Sequence, residues 1–168
     1  MQIRDAGPAD AAGIAEIYND AVRHTTAILN EGEVDAANRV AWMQARQAMG
    51  YPVLVAVAGD RVLGYASFGD WRPFDGFRAT VEHSIYVHAD ARGQGLSRQL
   101  MQVLMDRARA LGKHVMVAGI TSENTVSLAL HRKLGFTQSA HMREVGQKFG
   151  RWLDLIFLEL RLDPRPHP

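Results

Sequence analysis

The spacing of apolar residues changes several times along the chain, and each change marks an expected element. Apolar positions recur every three or four residues after Pro8 and between Asp35 and Gly50, which predicts two amphipathic helices. Continuous apolar runs on both sides of the turn Gly59-Asp60 predict a hairpin of buried strands. The expected order is a strand at 2–4, a helix after Pro8, a helix between Asp35 and Gly50, strands at 53–58, 62–68 and 80–88, a helix between Ser97 and Gly112, a strand at 115–120, a helix at 124–134, and strands at 136–142 and 152–160.

This order, β-α-α-β-β-β-α-β-α-β-β, predicts an α/β (α+β) fold. A mixed central sheet of about six to seven strands would be flanked by about four helices. A length of 168 residues suits one domain, which we expect to cover residues 1–162. Three prolines between Asp163 and Pro168 predict a disordered tail.

Composition excludes several classes of protein. Nineteen basic and eighteen acidic side chains give a formal charge of +1, without the clustered excess of Lys and Arg expected of a nucleic-acid surface. No stretch resembles a membrane span or a signal peptide, so we expect a cytoplasmic protein with no nucleic-acid or membrane partner. Cysteine is absent, which excludes disulfides, thiolate zinc sites and a cysteine nucleophile. Seven histidines without a His-Glu-x-x-His pattern predict no metal site.

A glycine-bearing turn, Ala91 to Ser97, lies between a predicted strand and a predicted helix. Glycine lets a ligand approach the backbone closely, and the first N–H groups of a helix have no intrahelical acceptor. Together with the helix dipole and with Arg92 and Arg98, they form a candidate pyrophosphate site. Such turns also occur for steric reasons alone, so both interpretations stay open. The turn lacks the Gly-Lys-Ser/Thr ending of a P-loop and the third glycine of the dinucleotide fingerprint.

Two motifs carry a resemblance to a known family. The stretch Arg92-Gly93-Gln94-Gly95-Leu96-Ser97 resembles the acetyl-CoA-binding motif of the GCN5-related N-acetyltransferases (GNAT), with Ser97 where glycine or alanine is usual. The stretch Asn124 to Phe136, an asparagine before a helix ending in Leu-Gly-Phe, is similar to a later motif of that family. Segments 71–74, 80–87 and 146–154 resemble its phosphinothricin and methionine sulfoximine acetyltransferase branch.

The resemblance implies that acetyl-CoA is the co-substrate and lies between two splayed strands, with its pantetheine arm paired to strand backbone. The residues implied for acetyl-CoA are Ile85, Tyr86, Val87, Arg92, Gly93, Gln94, Gly95, Leu96, Ser97, Arg98 and Asn124. Those expected at a small amino-acid-like substrate are Arg72, Pro73, Phe74, Asp75, Arg78, Glu82, His83 and Ser84. A guanidinium fork such as that of Arg72 suits a carboxylate, and Phe74 could wall an apolar slot. A solvated hairpin connection is the alternative interpretation of the segment 71–78.

Acetyl transfer to an amine needs a proton acceptor, because an amino-acid ammonium is mostly protonated near neutral pH. The strand at 80–88 alternates, with Val81 on its apolar face and Glu82 on the other. Glu82 is therefore the candidate general base, acting directly or through water; a solvated carboxylate paired with an arginine is the alternative. A backbone N–H near Val87 fits the oxyanion. Tyr86 is more often a packed aromatic than an acid, and the acid for the leaving thiolate is left unassigned.

The leading hypothesis is an N-acetyltransferase that detoxifies methionine sulfoximine, methionine sulfone or phosphinothricin by acetylating the α-amine. Two alternatives stay open: the same chemistry on another amine, such as a protein N-terminus, a lysine or a polyamine, and an acyl-CoA-binding module without turnover. The resemblance also implies a homodimer with substrate pockets near the interface. The aromatic and basic segments 71–78 and 148–152 are the candidates to meet a second subunit.

Overall fold

A computed structural model describes all residues from Met1 to Pro168. The strands are β1 (Gln2–Asp5), β2 (Val53–Ala58), β3 (Arg61–Asp70), β4 (Thr80–Val87), β5 (Val115–Thr121), β6 (Thr137–Lys148) and β7 (Arg151–Arg161). The helices are α1 (Ala11–His24), α2 (Ala36–Ala48), α3 (Leu96–Ala110) and α4 (Thr125–Lys133). Short 3-10 turns lie at Pro8–Asp10, Asp75–Phe77 and Ala89–Ala91. The order of strands and helices is the predicted one.

All seven strands form one mixed sheet in the order β1-β2-β3-β4-β5-β7-β6. Neighbouring strands are antiparallel except for β4 and β5, which are parallel. A parallel pair needs a crossover connection, and here α3 supplies it. The prediction of a mixed sheet flanked by helices is therefore confirmed.

Helices cover both faces of the sheet, so the buried residues form two main clusters. On one face, Leu100 and Leu104 of α3 and Leu128 of α4 pack against Met116 and other apolar residues of the strands. On the other face, Ile14 of α1 and Met43 of α2 pack against Val55 and Tyr65. This separation means that alternate residues of a central strand face different helices, which matters for β4 below.

Element ends follow the expected caps, with a few differences. The Asp35 carboxylate accepts a hydrogen bond from the N–H of Asn38 at 2.8 Å, which starts α2 as predicted. The segment predicted as a disordered tail makes contacts: Asp163 Oδ1 lies 2.9 Å from His114 Nδ1, and Arg165 donates to the carbonyl of Gly112 at 2.8 Å. No helix of the chain is long and apolar enough to cross a bilayer.

Candidate active site

The parting of β4 and β5 creates the main cleft. The two strands pair for three residues each, ending at Glu82 opposite Val117. Beyond this point β4 stays paired with β3 as far as Val87, while β5 stays paired with β7 as far as Thr121. The edge of β4 after Glu82 therefore has no strand partner, and its backbone N–H and C=O groups are available to a ligand.

A cavity of about 900 Å³ opens at this parting. Its walls come from α1, the loop after α1, the end of β4, the glycine turn with the start of α3, the first half of α4, and Phe149 and Arg151 at the turn between β6 and β7. Ten of the eleven residues predicted for acetyl-CoA line it: Ile85, Tyr86, Val87, Arg92, Gly93, Gly95, Leu96, Ser97, Arg98 and Asn124. The other, Gln94, is absent from the lining, and its side-chain amide donates to the carbonyl of Asp90 at 3.0 Å. Gln94 therefore closes the turn.

The glycine turn leaves backbone donors uncovered. Gly93 and Gly95 have φ angles of 74° and 78°, in the left-handed region that favours glycine. A Cβ at either position would meet no atom within 4 Å, so the space beside both is open. Gly95 is the N-cap of α3 and offers no side-chain acceptor, so the N–H groups of the first turn are free for an anion. The helix begins at Leu96, before the predicted start.

The side chains of Leu96 and Arg92 both anchor the glycine turn to the rest of the protein, but in different ways. The Leu96 side chain is 3% exposed and belongs to the core, so only its backbone faces a ligand. Arg92 binds Asp20 of α1, with Nη2 2.9 Å from Oδ2, and its Nε donates to the carbonyl of Val87 at 3.3 Å. The pKa of Asp20 is lowered by hydrogen bonds from His24 and then Arg92. Arg92 therefore ties the glycine turn to α1.

The side chains of Asn124 and Tyr86 are engaged in local structure, one as a helix cap and the other in aromatic packing. The Asn124 side chain is the N-cap of α4, where Oδ1 accepts from the N–H of Ser127 at 3.2 Å. Burial raises the pKa of Tyr86, whose ring centroid is 5.3 Å from that of Tyr65. The Tyr86 phenol is thus a packed neutral group, and its backbone is what faces the open edge of β4.

Glu82 stands where the strands part. Its Oε1 lies 3.0 Å from the point that a Cβ on Gly119 of β5 would occupy, so Gly119 makes room for the carboxylate. Burial raises the pKa of Glu82, and the charge of Arg72 offsets part of that rise. A carboxyl group whose pKa moves toward neutrality accepts a proton from an ammonium more readily. The position suits a general base.

The loop of residues 71–78, called the acceptor loop below, brings Arg72 toward Glu82. The guanidinium carbon of Arg72 lies 4.0 Å from the centroid of the Trp71 ring, and Nη1 donates to the Trp71 carbonyl at 3.0 Å. The Trp71 ring in turn meets the edge of Phe157 with centroids 5.3 Å apart. Phe74 is 68% exposed. Trp71 and Phe157 therefore form an aromatic wall that holds the arginine near the carboxylate.

The other predicted residues of the acceptor loop are exposed to solvent. Pro73 and Asp75 belong to this exposed stretch, and Asp75 begins the 3-10 turn. Arg78 is turned back on the loop, where Nη1 donates to the carbonyl of Asp75 at 2.9 Å. Among the predicted loop arginines, Arg72 is the one whose charge acts on Glu82.

His83 lies on the opposite face of β4 from Glu82, and its role as a substrate contact stays a prediction. Its ring stacks on His131 of α4 with centroids 5.0 Å apart, and the two Nε2 atoms are 3.0 Å apart. Phe136 packs against both rings. The alternation of β4 thus puts the His83 side chain on the opposite face from Glu82, while both His83 and Ser84 border the narrow gap of about 70 Å³ between β4 and β5.

The partners of the two histidines determine which nitrogens carry protons. His131 Nδ1 lies 2.7 Å from the carbonyl oxygen of Ser127, which only accepts, so this nitrogen is protonated. Burial lowers the pKa of His83 to about 3 and also lowers the pKa of His131, so both rings are neutral. His131 Nε2 then accepts from His83 Nε2–H. His83 Nδ1 is left as a buried nitrogen without a partner.

Sequence reasoning missed Gly119, Phe157 and His131 as residues of the site. Gly119 carried a usable signal, since a glycine inside an otherwise apolar strand often marks a close approach. The aromatic Phe157 and the helical His131 read as core residues. No group of three or more His, Asp or Glu side chains is arranged to hold a metal ion.

Comparison with known proteins agrees with this arrangement. The model of the acetyltransferase (GNAT) family matches residues 14–136. An L-methionine sulfoximine/L-methionine sulfone acetyltransferase of Pseudomonas paraeruginosa is 65% identical over 163 residues, 96% of this chain and 95% of that protein. A phosphinothricin N-acetyltransferase of Alcaligenes faecalis is 37% identical over 92% of this chain and 79% of its own length.

A solved structure from Salmonella typhimurium, which holds acetyl-CoA as its cofactor, is also similar. It superposes with a TM-score of 0.96 at 60% identity, covering 99% of this chain and 96% of that one. The predictions of family, fold class, enzyme class and co-substrate are confirmed by these matches. This chain belongs to the GNAT acetyltransferase family and is an N-acetyltransferase that uses acetyl-CoA.

Proposed function

We propose that residues 1–162 form one domain that acetylates the α-amine of a small amino-acid analogue of the methionine sulfoximine, methionine sulfone or phosphinothricin type, and so detoxifies it. The observation that carries the proposal is the placement of Glu82. Its half-buried carboxylate stands at the parting of β4 and β5, with the guanidinium of Arg72 as the charged neighbour. The names of the relatives favour the same substrate class.

The residues of the cleft fit acetyl-CoA. The free N–H groups at Gly95 to Ser97 and the charge of Arg98 would hold the pyrophosphate. The open edge of β4 at Ile85 to Val87 would pair with the pantetheine arm as an added strand does. Asn124 borders both the large cavity and the narrow gap, where the thiol end would lie.

In the proposed reaction, Glu82 takes a proton from the substrate ammonium, directly or through one water, so that the nitrogen lone pair becomes available. Bound acetyl-CoA supplies a thioester carbonyl that an amine can attack, with loss of the thiolate. A backbone N–H near Val87 would donate to the oxygen on which negative charge develops. Glu82 then releases this proton to solvent. The nitrogen loses a second proton to solvent after the attack, which leaves a neutral amide, and the departing thiolate takes up a proton from solvent to give the CoA thiol. We assign Tyr86 no acid role, because its phenol is packed beside Tyr65.

We also propose that Arg72 selects carboxylate-bearing acceptors. Its guanidinium is fixed by the Trp71 ring and carbonyl, which reduces the entropy lost when a carboxylate binds in a bidentate manner. Phe74, largely exposed, would border the apolar part of the acceptor. Pro73, Asp75 and Ser84 stay predictions as substrate contacts.

A homodimer through the β6–β7 hairpin is part of the proposal. β6 is an edge strand of the sheet, and this hairpin exposes four large apolar side chains: Met142, Val145, Phe149 and Trp152. Exposed apolar patches of this kind mark protein interfaces. Sedimentation velocity should show a dimer that Trp152→Glu splits and that Met49→Glu, an exposed apolar change just after α2, leaves intact. A monomeric parent protein would refute the dimer. The cytoplasmic location stays a prediction from sequence.

The test of the activity follows CoA thiol release while methionine sulfone, methionine sulfoximine, phosphinothricin, a polyamine and a lysine peptide are offered in turn. We expect the first three to be preferred. Glu82→Gln should lower kcat by about 10²–10⁴-fold while acetyl-CoA binds as before. Glu31→Gln, an exposed loop change, is the matched control.

Each other outcome has a defined meaning. Preference for the polyamine or the peptide would overturn the substrate class and favour transfer to another amine. Acetyl-CoA binding without release of thiol for any acceptor would favour the non-catalytic module. Unchanged kcat in Glu82→Gln at every pH would remove Glu82 from the mechanism.

A further inference from the structure

The acceptor loop touches the body of the protein at few places, and one of them joins both of its ends. Residues 72–78 are exposed, and their hydrogen bonds are local, such as those from Phe77 N–H to the Phe74 carbonyl at 2.9 Å and from Arg78 N–H to the Asp75 carbonyl at 3.2 Å. A loop with so few packing contacts does not by itself determine its position relative to the sheet. Its ends are held by Trp71, whose ring packs on Phe157 and whose N–H donates to the Thr80 carbonyl at 3.3 Å, and by side chains beneath them.

A network of side-chain hydrogen bonds beneath the loop adds to this anchoring. Tyr51, just before β2, donates its hydroxyl proton to the carboxylate of Asp70, the last residue of β3. Lys113, just before β5, donates from Nζ to the Tyr51 hydroxyl at 3.1 Å and to the carbonyl of Arg78 at 2.6 Å. Asp70 precedes the acceptor loop and Arg78 ends it. Both ends of the loop are therefore joined through two side chains from elsewhere in the sequence.

The direction of each hydrogen bond among Lys113, Tyr51 and Asp70 follows from which groups can donate and which can accept. An ammonium only donates and a carboxylate only accepts, so the Tyr51 hydroxyl must accept from Lys113 and donate to Asp70. Tyr51 is 8% exposed and its ring packs on Phe68 with centroids 5.3 Å apart, so the hydroxyl is held in place. Charged partners at both ends make these bonds stronger than neutral ones.

Arg46 of α2 reinforces the same point. Its guanidinium fills the space beside Gly69, where Nη1 lies at the position that a side chain would take. Burial lowers the pKa of Arg46, while the charges of Asp70 and Tyr51 act in the opposite direction. Arg46 is therefore a buried cation beside the end of β3 whose charge interacts with Asp70.

We propose that Lys113 and Tyr51 are positioning residues of the acceptor loop, setting the distance between Arg72 and Glu82 through Asp70 and the Arg78 carbonyl. This inference rests on the proposed selection of carboxylate-bearing acceptors by Arg72. Neither residue lines the acetyl-CoA cavity, and neither touches Glu82. They act on acceptor binding alone, which separates them from residues of the chemical step.

The test compares Lys113→Met with the parent enzyme, using methionine sulfone and its carboxyl-free amine counterpart as acceptors. We expect KM for methionine sulfone to rise about tenfold, as loss of a charge-assisted hydrogen bond predicts. KM for acetyl-CoA and KM for the amine should stay unchanged. Lys113→Arg, which can donate to both acceptors, should recover most of the loss. Lys133→Met, an exposed change at the end of α4, is the control.

A double-mutant cycle distinguishes the positioning role from a general loss of structure. Once Arg72→Ala has removed the carboxylate contact, adding Lys113→Met should change the acceptor KM no further. If Arg72→Ala alone leaves that KM unchanged, the proposed selection by Arg72 fails. If Arg72→Ala raises it and Lys113→Met does not, the positioning role is refuted. Tyr51→Phe, which keeps the ring packed on Phe68, repeats the test should Lys113→Met fold poorly.

Discussion

The neutral histidine pair beside the cleft predicts a specific loss of stability in mild acid. His83 has a pKa of about 3 in the folded protein against an ordinary value of 6.5, chiefly because of burial and then because of His131. Below pH 6.5 the unfolded chain takes up a proton at this residue and the folded chain does not. The free energy of unfolding therefore falls as pH decreases through 6.5 and continues to fall until about pH 3.

The size of the effect between pH 7 and pH 5 follows from these two pKa values. One pH unit within this window corresponds to about 1.4 kcal/mol per proton, so His83 accounts for about 2 kcal/mol of lost stability by pH 5. The result depends little on the folded value, because any pKa well below 5 leaves the folded ring neutral. The lowered pKa of His131 adds a loss of the same sign.

Urea unfolding at pH 7 and pH 5, followed by tryptophan fluorescence, measures this loss. In His83→Gln the amide can still donate to His131 Nε2 but does not titrate, so the decrease from pH 7 to pH 5 should be about 2 kcal/mol smaller than in the parent protein. His167→Gln, in the exposed C-terminal segment, is the matched control. Equal decreases in His83→Gln and the parent protein would refute the assignment of a neutral, buried His83.

Three further changes test the geometry of the cleft. Gly119→Ala places a methyl group 3.0 Å from Glu82 Oε1, which should displace the carboxylate and lower kcat about tenfold. Steady-state assays should show an unchanged KM for acetyl-CoA, and a kcat equal to that of the parent enzyme would contradict this placement of Glu82. Gly95→Ala, at a φ of 78°, should lower the free energy of unfolding by about 1–2 kcal/mol and weaken acetyl-CoA binding measured by calorimetry. An unchanged affinity for acetyl-CoA would contradict the proposed anion site at the turn. Asn124→Ala should lower Tm by about 2–4 °C through loss of the α4 cap, and an unchanged Tm would show that the cap contributes no stability.

Much of the fold could be predicted because local signals agreed with it. The Asp35 cap, the glycine stops and the change from helical to strand spacing gave every helix and strand in order. The length of β6 was missed: it continues to Lys148, past the predicted end at residue 142. This part of β6 is an exposed edge with an irregular register near Glu144, whose φ is 55°. An edge strand without a buried face has no apolar alternation to read.

The candidate site was predicted only as far as single strands and turns allow. The period of two correctly put Glu82 and Val81 on opposite faces of β4, with His83 on the face of Val81. The role of His83 as a substrate contact rests on the family resemblance and stays a prediction. Other contacts join distant segments, such as Arg92 with Asp20 across 72 positions. Spacing carries no information about such pairs, because tertiary packing decides them.

The position of Glu82 follows from the way the sheet is built. A strand held by β3 on one side can lose its other neighbour and still stay straight, so β4 supplies free backbone groups without becoming mobile. Glu82 is the last residue of β4 that β5 still pairs, and Gly119, two positions beyond its partner Val117, vacates the space beside it. The carboxylate therefore lies where β4 and β5 part, while the glycine turn that follows β4 offers the proposed anion site. The same element therefore holds the proposed base on β4 and the proposed anion site at the start of α3 at a fixed separation, as transfer between two bound substrates requires.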